Sequence, residues 1–168
     1  MTSAELLADA FGRVQETVHE AVDGLTASQL TARLDHDANS IAWLCWHLAR
    51  VQDDHVAGAF GVPQVWMEYG KRFELPFEPF DIGYGHSSRQ VSQVTVSSAD
   101  LLTGYHDAVH EQTIRLVSDI TDADLRRVVD EGWDPPVTLG VRLVSVITDC
   151  LQHAGQAALI RGILLRGD

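Results

Sequence analysis

Apolar residues recur at helical spacing in four long stretches of the chain. In the first, Leu6, Leu7, Ala10, Val14, Thr17, Val18 and Ala21 follow one another at intervals that place them on one helix face. Thr2 and Glu5 form the T-x-x-E signature of a capping box, and Gly24 supplies a stop. The pattern predicts a helix over about 4–23. A second capping signature, from Thr26 to Gln29, opens one or two further turns. Asn39 or Ser40 caps the next long helix, about 40–58, with Gly58 and Gly61 at its end. Its core stripe is Ile41, Leu44, Leu48, Val51 and His55. Ser97 or Ser98 caps a third helix, about 99–119, striped by Leu102, Tyr105, Val109, Leu116 and Ile120.

The fourth stretch runs from Leu139 to Leu165, with Thr138 as its cap. It carries two apolar stripes. One is Val144, Ile147, Leu151, Ala154, Ala158 and Leu165; the other is Val146, Ala157 and Ile160, and it also contains Asp149 and His153. A helix that is apolar nearly all round is expected to be buried. Between the second and third helices, Phe60 to Ser97 has another character, with Pro63, Pro76, Pro79 and seven aromatics from Phe60 to Tyr84. It reads as a long loop that packs down on the domain, with a hint of extended chain at Val91, Val94 and Val96. Thr121 to Leu125 echoes Thr26 to Leu30, so the chain divides into two helix–turn–helix halves. Gly132 to Pro136 reads as a turn. No alternation is long enough for a real sheet. The expected fold is all-α: one domain over 1–168, a four-helix bundle with one long crossover.

Composition narrows the partners. The 168 residues carry a net charge of −12, which disfavours a nucleic-acid backbone or an anionic membrane surface. No signal peptide or run long enough to span a membrane is visible, so a cytoplasmic protein is expected. Cys45 and Cys150 both fall on predicted helices and read as small buried hydrophobes. Neither has a Lys or Arg within a helical turn to activate it, and no convincing nucleophile or nucleotide-binding glycine motif is present.

Asp149 and His153 are four residues apart, neighbours on one face of a buried helix. Such a pair needs a partner. The two can satisfy one another, meet a buried cation, or share a divalent metal. His47, in Trp43-Leu44-Cys45-Trp46-His47-Leu48, lies at the edge of the second helix's stripe. Bundles build metal sites from facing helices, which makes His47 the natural third ligand; the plain alternative is a core-edge histidine bonded to a carbonyl. His106 and His110 form the single H-x-x-x-H of the chain, but they flank the third stripe beside Asp107 and Glu111 and read as a half-exposed face. Gly83-Tyr84-Gly85-His86-Ser87 reads either as a surface turn or as a loop over the metal mouth, with Tyr84 and His86 touching substrate.

These residues carry a resemblance. Ser40-Ile41-Ala42-Trp43-Leu44-x-Trp46-His47-Leu48 resembles the second helix of the DinB-like metal-binding bundles. Asp149-x-x-x-His153-x-Gly155-Gln156, with Ala158 and Arg161, resembles their fourth. Trp66, Arg72, Pro76 and Gly83 to His86 look like the loop of an uncharacterised actinobacterial branch, related to the mycothiol-dependent maleylpyruvate isomerases. The resemblance implies a divalent metal, Zn²⁺ or else Ni²⁺ or Fe²⁺, on His47, Asp149 and His153, with Asp149 where many relatives have Glu or His. It implies a metal-dependent S-transferase or isomerase, with a low-molecular-weight thiol such as mycothiol as cosubstrate and an electrophilic small molecule as substrate. The alternative is a non-catalytic metal- or ligand-binding stress protein. The surplus apolar surface of the fourth helix, with that of the first, predicts a homodimer.

Overall fold

The structure, a computed structural model, describes residues 1–167. It is mostly helical. Among the described residues, seven α-helices are α1 (Ser3–Val22), α2 (Ala27–Thr31), α3 (Ile41–Phe60), α4 (Trp66–Phe73), α5 (Ser88–Gln93), α6 (Ala99–Val117) and α7 (Leu139–Leu164). A 3₁₀ turn at Asp124–Arg126 precedes a small antiparallel pair, β1 (Val128–Asp130) and β2 (Val137–Thr138). The four long helices close on themselves: α1 and α3 each pack against both α6 and α7. No helix among the described residues is long and apolar enough to cross a membrane.

The predicted caps are in place except at α6, where Ser98 holds the N-cap position without a side-chain cap hydrogen bond. The capping boxes at Thr2–Glu5 and Thr26–Gln29 are both formed. Ser40 and Thr138 accept the backbone N–H three residues on, from Trp43 and Val141. Gly61 ends α3 in the left-handed region at φ 67°. Thr121 and Asp124 repeat the reciprocal cap, with Thr121 N–H donating to Asp124 Oδ2 at 2.8 Å. The echo of Thr26 to Leu30 is therefore a real local likeness, though here it opens only a 3₁₀ turn.

Three expectations are corrected. The Phe60–Ser97 segment is not an unstructured loop, because it contains α4 and α5. The α4 helix has no side-chain cap of its own. Its cap comes from α3, where Asp53 accepts the N–H of Val65 at 2.9 Å and of Trp66 at 2.7 Å. Second, His106 is fully buried, and neither ring nitrogen has a hydrogen-bond partner. The buried face of α6 runs through Leu102, Tyr105, His106, Val109, Thr113 and Val117, turned from the predicted stripe because α1 covers one flank and α3 the other. Third, α7 is not buried all round. Of the stripe Val144, Ile147, Leu151, Ala154, Ala158 and Leu165, only Ala154 is buried. The face that enters the core is Leu139, Leu143, Val146, Cys150, Ala154, Ala157 and Ile160.

The α3 helix is buried without interruption from Ser40 to Asp53. Its Arg50 and Asp53 lie in the interior with Tyr105 of α6. The Tyr105 hydroxyl donates to Asp53 Oδ2 at 2.8 Å, and Arg50 Nη1 reaches Tyr105 at 3.2 Å and Asp53 at 3.5 Å. Burial first, then the Asp53 charge, push the Tyr105 hydroxyl well above its ordinary range, so it remains a donor. The Arg50 guanidinium also lies 4.8 Å over the Trp66 ring.

Removing Asp53 leaves a buried guanidinium without its counter-charge and α4 without its cap. Asp53→Ala is expected to cost about 3 kcal/mol or more, read as a lower urea midpoint. A change under about 0.5 kcal/mol, the size of an ordinary surface substitution, would contradict this account. Burial, with His110 adding to it, lowers His106 from 6.5 to about 3. The folded protein therefore binds this proton less readily than the unfolded chain. The stability from a neutral His106 is complete above about pH 6.5 and is lost progressively as pH falls toward 3. His106→Leu should flatten the stability–pH profile in that window; an unchanged slope would contradict it.

Candidate metal centre

His47 of α3 and Asp149 and His153 of α7 converge, each offering a ligand atom within 4.8 Å of the others. They meet because α7 packs along α3, with Cys150, Ala154 and Ala157 among its buried residues. The His47 and His153 rings lie 4.9 Å apart, near perpendicular at 70°. His47 is buried, His153 retains 20% of its side-chain exposure and Asp149 39%. The cluster therefore sits at an edge of the helix packing, reachable from outside.

Hydrogen bonding settles which nitrogens are free. The Nδ1–H of His47 donates to the carbonyl oxygen of Ile82. A carbonyl only accepts, so the proton is on Nδ1 and the lone pair on Nε2. His153 Nδ1 is paired with Gln156 Oε1 at 3.0 Å, so Nε2 is the nitrogen turned to the cluster. Nε2 of His153 is 3.6 Å from Asp149 Oδ1, beyond a hydrogen bond, and Asp149 Oδ2 is buried with no partner. The two groups do not satisfy each other. His47 bonds a carbonyl through one nitrogen and presents the other to the cluster. Burial lowers the His47 pKa, against the opposing pull of the Ile82 carbonyl, which keeps the ring neutral near pH 7. Two imidazoles and a carboxylate with an orphaned oxygen are a donor set that fits a divalent metal.

The crossover segment lies directly on this cluster. Trp43 stacks on His47 with centroids 4.6 Å apart at 18°, and it meets His153 edge-on at 6.3 Å. Gly83 has φ 90°, and a Cβ there would lie 2.9 Å from His47 Nδ1 and 2.8 Å from the Trp46 ring. Only glycine lets the backbone come this close. Asp81 accepts the Gly83 N–H at 2.7 Å. It also accepts from His86 Nε2, 3.1 Å from each carboxylate oxygen. Burial alone would raise the Asp81 carboxyl, but these bonds outweigh it and hold the group below the usual carboxylate range.

Tyr84 and His86, the expected substrate contacts, are placed differently from one another. The His86 side chain is buried against Trp46, Phe77 and Trp43, with both nitrogens engaged. Tyr84 projects into solvent, 90% exposed. The segment's residues on the His47 ring are Ile82 and Gly83. Ile82 acts through its backbone and carries no signal in the sequence; Gly83 stood within the motif read there. A cavity of about 370 Å³ between α4 and the Leu75–Asp81 stretch is walled by Trp46, Trp66, Met67, Leu75 and Phe77, and none of the three cluster residues lines it. Cys45 and Cys150 are buried, and burial pushes the Cys45 thiol up to about 12 and raises Cys150 as well. Neither can act as a nucleophile at neutral pH.

No curated protein matches the chain. A crystal structure described as that of a conserved protein from Enterococcus faecalis is similar, with a TM-score of 0.87, 30% sequence identity and coverage of 96% of each chain. The family described as Mycothiol-S-transferase matches residues 6–165. With nearly its whole length inside that match, the chain belongs to the mycothiol S-transferase family of DinB-like proteins.

Proposed function

We propose that this protein is a metal-dependent S-transferase or isomerase, built as a four-helix bundle, that uses a low-molecular-weight thiol of the mycothiol type against an electrophilic small molecule. The observation that carries the reading is the convergence of two imidazole nitrogens with the unpartnered Asp149 oxygen. His47, Asp149 and His153 would hold the ion. A nitrogen–nitrogen–oxygen set suits Zn²⁺ and also Ni²⁺ or Fe²⁺. The bound ion would supply an open position where a thiol loses its proton at neutral pH. The chain's own part is to keep His47 neutral by burial, to hold its ring between the Ile82 carbonyl and the Trp43 face, and to offset the cationic charge with Asp149. The absence of an accessible cysteine supports a reaction whose nucleophile arrives with the cosubstrate. Tyr84, exposed on a turn between two glycines, is the proposed contact to the incoming small molecule.

Protein purified without an affinity tag is expected to carry about one divalent ion per chain, read by elemental analysis. His47→Ala and His153→Ala should each lose it, and His110→Ala should keep it. Asp149→Asn should weaken binding by removing the anionic charge, while Asp149→Glu retains it. Loss of the ion should abolish thiol conjugation to an aryl halide. Equal metal content in the wild type and in His153→Ala would refute the proposal.

We also propose a homodimer through the outer face of α7, where Val141, Val144, Leu151 and Leu159 are exposed. These positions form a contiguous uncharged strip with Gly155, where added bulk would meet nothing, on a chain of net charge −12. Such patches mark interfaces. Light scattering at micromolar concentration should give twice the 18.5 kDa chain mass, and Leu151→Glu should return it to one. A monomeric wild type would exclude the dimer.

A further inference from the structure

His47 is touched by the Trp43 ring of its own helix and by the Ile82 carbonyl of the crossover segment, neither of which metal ligation requires, and both lead back to one carboxylate. We propose that Asp81 and His86 are positioning residues of the metal centre, fixing the ring plane and tautomer of His47 through Trp43 on one side and the Ile82 carbonyl on the other.

The first route runs through side chains. Trp43 Nε1–H is a donor only, and it donates to His86 Nδ1 at 3.1 Å. His86 must therefore carry its proton on Nε2, where Asp81 accepts it at 3.1 Å. Asp81 fixes the tautomer of His86. His86 fixes the rotation of the Trp43 indole, and that indole lies flat on His47. A phenyl ring would fill the cage of Trp46 and Phe77 as well as His86 does, but it would leave the buried Trp43 N–H without an acceptor.

The second route runs through the backbone. Asp81 Oδ1 takes the Gly83 N–H at 2.7 Å, closing a tight turn over Ile82. The turn directs the Ile82 carbonyl at His47 Nδ1. Arg50 Nε holds the Asp81 carbonyl from the other side at 3.3 Å. The ring is clamped at its face and at its Nδ1 edge, and Nε2 is left as the free lone pair. Outer-shell partners of this kind typically change metal affinity by about 10–100-fold.

The geometry of this inference stands in metal-free protein, and its consequence for affinity rests on the metal reading above. Two measurements separate them. The first is the His47 imidazole ¹⁵N spectrum of metal-free protein at neutral pH. The second is Co²⁺ affinity by chelator competition. His86→Phe keeps the ring packing and removes both hydrogen bonds; His86→Gln has an oxygen to accept from Trp43 and an N–H to give to Asp81. Wild type and His86→Gln should show His47 as the Nδ1–H tautomer with similar Co²⁺ affinity. His86→Phe and Asp81→Ala should show a tautomer mixture and an affinity about 10–100-fold lower, with helical circular dichroism retained. An unchanged tautomer and affinity in His86→Phe would overturn the inference. So would failure of His86→Gln to restore them, since the ring itself would then matter and not its hydrogen bonds. Should the wild type take up no Co²⁺ at all, the metal reading fails, and the ¹⁵N spectra alone decide the positioning role.

Discussion

The complete burial of α3 from Ser40 to Asp53 is the constraint from which most of the structure follows. A buried helix bearing His47, Arg50 and Asp53 must find a partner for each of these groups, because an unpaired polar or charged side chain in the interior is costly. The three are spaced by three residues, on one side of the helix. All three take main-chain groups of the crossover segment: the Ile82 carbonyl, the Asp81 carbonyl, and the N–H groups of Val65 and Trp66. Hydrogen-bonding demand on α3 thereby folds the segment that follows it. The same bonds press Gly83 against the ring of His47, so the candidate site and the core share one set of contacts.

This explains what could be read in the chain and what could not. The long helices and their caps are local: a Thr or Ser with its reciprocal partner three residues on is visible without tertiary knowledge, and Thr2, Thr26, Ser40 and Thr138 all cap as their neighbours imply. The α4 helix is not local. Its cap is a carboxylate 12 residues upstream, on another helix, and no pattern within Trp66–Phe73 announces that. The α5 helix is different again, since Ser87 and Gln90 form an ordinary capping box that three nearby valines disguised as extended chain. On α6, periodicity found the helix but misjudged its rotation, because a helix wedged between α1 and α3 buries a wider arc than one apolar stripe reveals. His106 is the casualty of that error.

The candidate site was more legible than the segment that shapes it. Asp149 and His153 share a face by helical spacing alone, and bundle logic pointed to His47 across from them. The hydrogen bonds that choose tautomers were beyond reach, because the decisive acceptor is the carbonyl of Ile82, a residue whose side chain carries no chemical signal. Tyr84 and His86 illustrate the same limit. Flanking glycines correctly marked a turn of unusual backbone, with Gly83 and Gly85 both at positive φ, but spacing could not tell which side chain turns inward. His86 turns in to meet Trp43 and Asp81, and Tyr84 turns out.

The choice of aspartate at position 149 also has a physical reading in the packing. The core face of α7 beside it is made of Val146, Cys150, Ala154 and Ala157, and α3 and α7 share the most extensive contact of any pair of elements. Small side chains bring helix axes together. At short separation a carboxylate one methylene shorter than glutamate still comes within 4.8 Å of both imidazoles, and Asp149 loses less side-chain entropy in doing so than a longer side chain would. Position 149 therefore does not need a longer acid to reach the cluster: His153 stands one turn along the same helix, and His47 comes within 4.8 Å of both from α3.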